Sequence, residues 1–205
     1  MLKKRPLTRI AVLVSGGGTN LQALIDAQKA GSLKNGEITL VVSSNPDAYA
    51  LERAKGAGIT ALCIPRSVHT ADFEEKLVSA LEAYGIDLIV LAGFLSILSE
   101  NFTKRYERRI LNVHPSLIPS FCGKGYYGLR VHEAALARGV KVTGATVHYV
   151  NEIPDGGEIV MQKAVKILPD DDARTLQRRV MEEAEWKILP ASVEKVSAEM
   201  RRRAR

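Results

Sequence analysis

An amide, an imidazole and a carboxylate are the groups in this chain best suited to moving a proton and holding a developing negative charge. Asn112 and His114 stand two positions apart in Asn112-Val113-His114-Pro115-Ser116-Leu117-Ile118-Pro119-Ser120. Two positions is the repeat of extended backbone, so both side chains leave on one side. A short strand over Arg109 to Leu111 is expected to lead into them. Pro115 and Pro119 then deny the chain both helix and ladder. An oxyanion donor is thus set beside a general acid/base. Taken alone, the pair also fits a turn cap and an ordinary hydrogen bonder. A second constellation favours chemistry: Gly144 to Asn151 alternates as a strand, and its loop ends in Asp155-Gly156-Gly157.

The elements that must position these groups begin with Ile10-Ala11-Val12-Leu13-Val14, a continuous apolar run of the kind buried on both faces of a sheet. It breaks at Ser15-Gly16-Gly17-Gly18-Thr19-Asn20, and Leu21 to Ala27 follows with helical spacing. Strand, glycine turn and helix N-terminus make an anion site, because free backbone N–H groups point outward there. The loop lacks the Gly-Lys-Ser/Thr of a Walker loop and the spacing of the dinucleotide fingerprint. A monophosphate suits it better, against the plain alternative of a tight turn without a ligand.

Ile38 to Val42, Thr60 to Ile64 and Asp87 to Leu91 repeat the strand pattern, and helices are expected over 48–57 and 72–84. The alternation predicts an α/β fold, Rossmann-like, with a mostly parallel central sheet and helices on both faces. Ligands in such sheets bind beyond the carboxyl ends of the strands. The loops at Ser15–Asn20, Ala92–Phe94 and Asn112–Ser116 are therefore expected to converge on one crevice. Cys122 to Arg130 is glycine-rich and aromatic, and reads as a flap. Val131 to Arg138 is a short helix, and 141–150 and 158–168 are strand-like. Asp170-Asp171-Asp172 suits a helix N-terminus, and Pro190 is expected to interrupt the long helix that follows.

The 205 residues are expected to form a single domain over 1–205, with a basic tail at about 199–205. No run approaches the ~20 apolar residues of a membrane helix, and no signal pattern opens the chain, so a cytoplasmic protein is expected. Cys63 and Cys122 have neither metal nor disulfide spacing. The formal charge is +6, much of it in Lys3-Lys4-Arg5 and Arg201 to Arg205. Without interleaved aromatics these read as solvated tails rather than a nucleic-acid surface. A positive surface also favours an anionic small substrate.

From Ile10 to about Pro190 the chain resembles the glycinamide ribonucleotide formyltransferases, folate-dependent enzymes of purine synthesis. The motifs that carry the resemblance are Ser15 to Asn20, Leu91-Ala92-Gly93-Phe94, Asn112 to Pro119, and His148 through Gly157. The resemblance implies a formyltransferase fold and formyl transfer from 10-formyltetrahydrofolate, as co-substrate, to the amine of glycinamide ribonucleotide. It implies Asn112, His114 and Asp155 as the catalytic trio, and Gly17, Gly18, Thr19 and Asn20 as phosphate binders. It assigns the folate site to Phe94, Leu95, Ser96, Ile97 and Leu98, with the loop Asn151, Glu152, Ile153 and Pro154. Glu185 falls near the ribose-binding glutamate. Trp186 departs from the family's common His, and Cys122 to Arg130 is longer than in many members.

The chemistry fits these residues by itself. Formyl transfer to an amine passes through a zwitterionic tetrahedral intermediate, whose oxyanion Asn112, or His114 as imidazolium, could bind. A proton must then travel from the attacking amine to the leaving nitrogen, work for a group near neutrality such as His114. Its charged form is expected to be favoured by Asp155. His148 is expected to support its neighbours. No metal is needed. The expected partners are small molecules, without nucleic acid or membrane, in a monomer or homodimer. Rival readings are another formyltetrahydrofolate-using transferase or hydrolase, a non-catalytic nucleotide-binding module, and RNA binding through the basic tail. The first carry a further domain, which a 205-residue sequence is not expected to hold; the second has no need of the trio.

Overall fold

The structure, a computed structural model, describes residues 6–203, so Lys3-Lys4-Arg5 and positions 204–205 lie outside it. It divides into two compact units: residues up to Leu98 with those from Val193 onward, and Ser99–Ser192.

In the first unit β1 (Thr8–Val14), β2 (Gly36–Ser43), β3 (Thr60–Cys63) and β4 (Leu88–Leu91) are parallel, in the order β3-β2-β1-β4. Parallel neighbours need crossovers, and α1 (Thr19–Lys29), α2 (Ala50–Gly56) and α3 (Phe73–Ala83) follow β1, β2 and β3 in sequence. Ile10 to Val14 are wholly buried, as their unbroken apolar run requires. Leu21, Leu24 and Ile25 of α1 and Phe73, Leu77 and Leu81 of α3 recur at helical spacing and are buried too. Each such side chain contributes about 1.5–3 kcal/mol. Val193 and Val196 join this core.

The second unit holds β5 (Ile110–His114), β6 (Val142–Tyr149) and β7 (Ile159–Lys166), paired antiparallel in that order. Around them run α4 (Glu100–Arg105), α5 (Leu129–Arg138) and α6 (Ala173–Val180). A π turn, Met181–Glu185, leads into α7 (Trp186–Arg203). The α/β class is as expected, with the antiparallel strands gathered in this unit.

Several boundaries move for physical reasons. β5 does not stop at Leu111. Asn112, Val113 and His114 pair with His148, Val147 and Thr146, so tertiary pairing carries the strand up to Pro115. α4, only six residues long, was too short for periodicity to reveal; Ser99 caps it by accepting from the Phe102 N–H. Asp172 is the residue that caps α6, in a reciprocal box with Thr175.

Two expectations about the C-terminal helix need correction. Pro190 does not interrupt it, because α7 runs through that residue. The break in the ladder comes earlier, at the π turn, and Pro190 is the fifth residue of the α-helix that follows it. Nor is the whole basic end a solvated tail. Arg201 lies in α7 and donates to the Asn35 side chain, while Glu194 accepts from the backbone and side chain of Asn35.

Candidate active site

In the second unit the β5–β6 ladder sets Asn112 opposite His148 and His114 opposite Thr146. Side chains alternate along a strand, so these four residues share one face. β7 carries an extra residue where His148 pairs, a bulge of the kind that re-aims a side chain beside a site. The loop after β6 then brings Asp155 back to the same face. Asp155 Oδ2 lies 3.5 Å from His114 Nδ1, and Oδ1 lies 3.5 Å from both His148 Nε2 and Asn112 Nδ2. The Gly123 N–H donates to Oδ2 at 2.8 Å. The expected trio, with His148 in support, is thus one contiguous group.

The ring nitrogens can be assigned from their partners. His114 Nε2 lies 2.9 Å from the Phe121 carbonyl, which can only accept, so that nitrogen carries a proton. Nδ1 is left to take or give the second one, facing Asp155. His148 Nδ1 must likewise donate to the Tyr149 carbonyl at 2.8 Å. His148 Nε2 lies 3.2 Å from Asn112 Nδ2. This orients the Asn112 side chain with its N–H₂ group toward Asp155 and His148. Phe121 and Asp155 both have positive φ, 49° and 57°, a conformation that costs a non-glycine residue about 1–3 kcal/mol. Gly157 is needed for packing: a Cβ there would lie 1.8 Å from the Tyr149 carbonyl oxygen.

The expected phosphate loop lies in the first unit. Gly16, Gly17, Gly18, Thr19, Asn20, Ala92 and Gly93 line a cavity of about 230 Å³. Ser15 organises it. Its N–H donates to the Gly93 carbonyl, and its hydroxyl accepts from the Leu95 N–H and meets the Ser44 hydroxyl. Gly18 has φ 73°, and a Cβ there would fall 2.7 Å from the Ala50 Cβ, so the turn presses against the start of α2. Of the expected folate contacts, Phe94 stacks on Phe73, while Leu95 and Ile97 stand 70% and 81% exposed. Ser96 and Leu98 share that loop. Asn151 to Pro154 belong to the second unit, where the Asn151 side chain accepts from the Ile153 N–H. Glu185 is buried in the π turn, a feature frequent at functional sites.

Residues 8–193 match the formyl transferase family. The chain belongs to that family. Among similar formyl transferases is the phosphoribosylglycinamide formyltransferase of Haemophilus influenzae, 41% identical over 186 residues, covering 90% of this chain and 84% of that protein. The chloroplastic phosphoribosylglycinamide formyltransferase of Arabidopsis thaliana is 38% identical over 178 residues, 85% of this chain. The chain spans about three fifths of the length of such plant relatives, 61% in the Arabidopsis protein. The crystal structure of glycinamide ribonucleotide transformylase 1 from Symbiobacterium toebii superposes with a TM-score of 0.87 at 38% identity, covering 97% of this chain and 94% of that one.

Electrostatics in this formyl transferase site differ from expectation in one respect. Burial pushes the His114 imidazole below its ordinary value. Asp155 and the Phe121 carbonyl pull the other way without prevailing, and His148 adds to the depression. His114 rests neutral near pH 7, so the expected preference for its charged form is overturned by desolvation. Burial would lift the Asp155 carboxyl, but neighbouring His148, His114 and the Gly123 N–H hold it below the usual range. Asp155 is therefore a fixed negative charge beside the His114 ring.

His132 on α5 escaped notice in the sequence, where a lone histidine on a helix carries no signal. It is fully buried, neither ring nitrogen has a partner, and burial and His114 push it down to about 4. The unfolded chain takes up this proton near 6.5 and the folded chain only near 4, so stability falls as pH drops through that window. His132→Leu should remove about 2 kcal/mol of the loss between pH 7 and pH 5. Urea unfolding of both proteins at the two pH values measures it. Equal losses would mean that His132 charges freely in the folded state.

Proposed function

We propose that this formyl transferase moves the formyl group of 10-formyltetrahydrofolate to the amine of glycinamide ribonucleotide, with 1–205 acting as one formyltransferase domain. The observation that carries the reading is the group of Asn112, His114 and Asp155 on one strand face, braced by His148. The names of its relatives point the same way.

The amine nitrogen attacks the formyl carbon, forming one C–N bond and placing negative charge on the formyl oxygen. The Asn112 N–H₂ group turns one of its two N–H bonds from Asp155, 3.5 Å away, to that oxygen. His114 takes the ammonium proton on Nδ1 and returns it to N10 of the folate as the C–N10 bond breaks. Asp155, already charged, stabilises the imidazolium while it lasts. A neutral resting His114 is what this order of events needs, because a protonated one could not serve as base. The glycine loop would take the ribonucleotide phosphate on its N–H groups, with Glu185 as the ribose contact. The exposed Leu95 and Ile97 and the Asn151–Pro154 loop would receive the pterin. Its partners are then small molecules in the cytoplasm.

A spectrophotometric assay with glycinamide ribonucleotide and a 10-formyl folate tests the reaction. Turnover of the ribonucleotide is expected; turnover only of another amine would sink the reading. Asp155→Asn keeps the shape and loses the charge, so kcat should fall by about 10²–10⁴ while both ligands still bind. The His114 pKa, read by NMR in the free protein, should fall further in that variant. An unmoved pKa would detach Asp155 from His114.

The loop is best tested at Gly17, where an added Cβ meets nothing within 4 Å, rather than at Gly18, where it strikes α2. Gly17→Val should raise the ribonucleotide KM about tenfold or more and leave folate affinity unchanged. The same KM in both proteins would reduce the loop to a turn.

A further inference from the structure

Thr146 faces His114 directly across the β5–β6 ladder and is fully buried. Its hydroxyl donates to the Ser116 carbonyl at 2.7 Å, and accepts from the Ile118 N–H at 3.1 Å and from Gln162 Nε2 at 3.0 Å. The same Gln162 amide donates to the Ile118 carbonyl at 3.0 Å. The Ser116 hydroxyl donates to the Ser120 carbonyl. The segment from Ser116 to Ser120 is thus held at both ends and in its middle. The next residue, Phe121, supplies the carbonyl that takes the His114 Nε2 proton.

A hydroxyl suits this post for a chemical reason. Ser116 offers an acceptor and Ile118 a donor, and neither lies in a ladder. Only a group with one donor and two lone pairs meets both and still receives Gln162. Valine has the same shape and can do none of this. Neutral imidazole, for its part, divides its proton between two nitrogens according to which one finds an acceptor.

We propose that Thr146, with Gln162, is a positioning residue for His114. Its hydroxyl sets the 116–121 turn so that the Phe121 carbonyl holds the proton on Nε2 and leaves Nδ1 for the reaction. The kinetic part rests on the function proposed above; the tautomer does not, because it is a property of the free protein.

The test is Thr146→Val, read first by long-range ¹H–¹⁵N spectra of histidine-labelled protein near neutral pH. Wild-type His114 should show a single Nε2–H form, and the variant a mixture with the Nδ1–H form. The variant's kcat should drop about tenfold to a hundredfold, the lower end of what general acid–base help contributes, with both KM values within about twofold. Thr146→Ser should restore spectrum and rate together. Gln162→Leu, at an exposed position, should shift the tautomer in the same direction by less, and decides the matter if Thr146→Val does not fold. A folded Thr146→Val with an unchanged His114 tautomer overturns the proposal, as does an unchanged tautomer in Gln162→Leu when Thr146→Val fails to fold. If the wild type transfers no formyl group to the ribonucleotide, the functional reading fails and the spectra still decide this one.

Discussion

The register between β5 and β6 is the constraint on which the second unit's candidate site depends. It sets Asn112 against His148 and His114 against Thr146. Because strand side chains alternate, a slip of one residue would turn one pair away from the other. Pro115 ends β5 immediately after His114, and the bulge at His148 fixes where β7 falls out of step with β6. What looks like a feature of four side chains is therefore set by main-chain pairing. The loops that follow each strand only have to return to a face already defined.

They return under tension. Phe121 and Asp155, the two residues that address His114, both occupy left-handed backbone without being glycine. Each is restrained by contacts on either side. The Ser116–Ser120 segment is tied to Thr146 and Gln162 before Phe121, and Gly157 packs onto the end of β6 after Asp155. Packing also decides protonation. A carboxylate near His114 suggests a charged imidazole until burial is weighed, and burial prevails. The result is an imidazole held toward its neutral form beside a carboxylate held toward its charged one.

Much of this was legible in the sequence where the signal is local. The unbroken apolar runs of β1, β2 and β4 gave away a parallel sheet, and Asn112-Val113-His114 announced two side chains on one face. Asp155 was visible because two glycines follow it in the loop after an alternating strand. Contacts made only by tertiary pairing were not. Nothing in Thr146 or Gln162 marks them as neighbours of the 116–120 segment, and His132 looks like any helical histidine. Pro190 misled because a proline reads as a helix breaker unless the preceding π turn is known. Arg201 read as tail because its partner, Asn35, lies 166 positions away.

The grip on His114 and Asp155 is made by main chain: a carbonyl at Phe121 on the imidazole and an N–H at Gly123 on the carboxylate. Backbone groups are the same whatever side chains they bear. The segment that runs on from Cys122 to Arg130 therefore needs no particular side chain to keep that grip. Apart from Gly123, Gly125 and Gly128, whose positive φ favours glycine, its residues can be exchanged, and others inserted beyond Gly123, at no direct expense to His114 or Asp155. Such a stretch is where sequence can drift while the geometry around His114 and Asp155 stays put, and where a protein engineer could diversify a library without first disturbing that group.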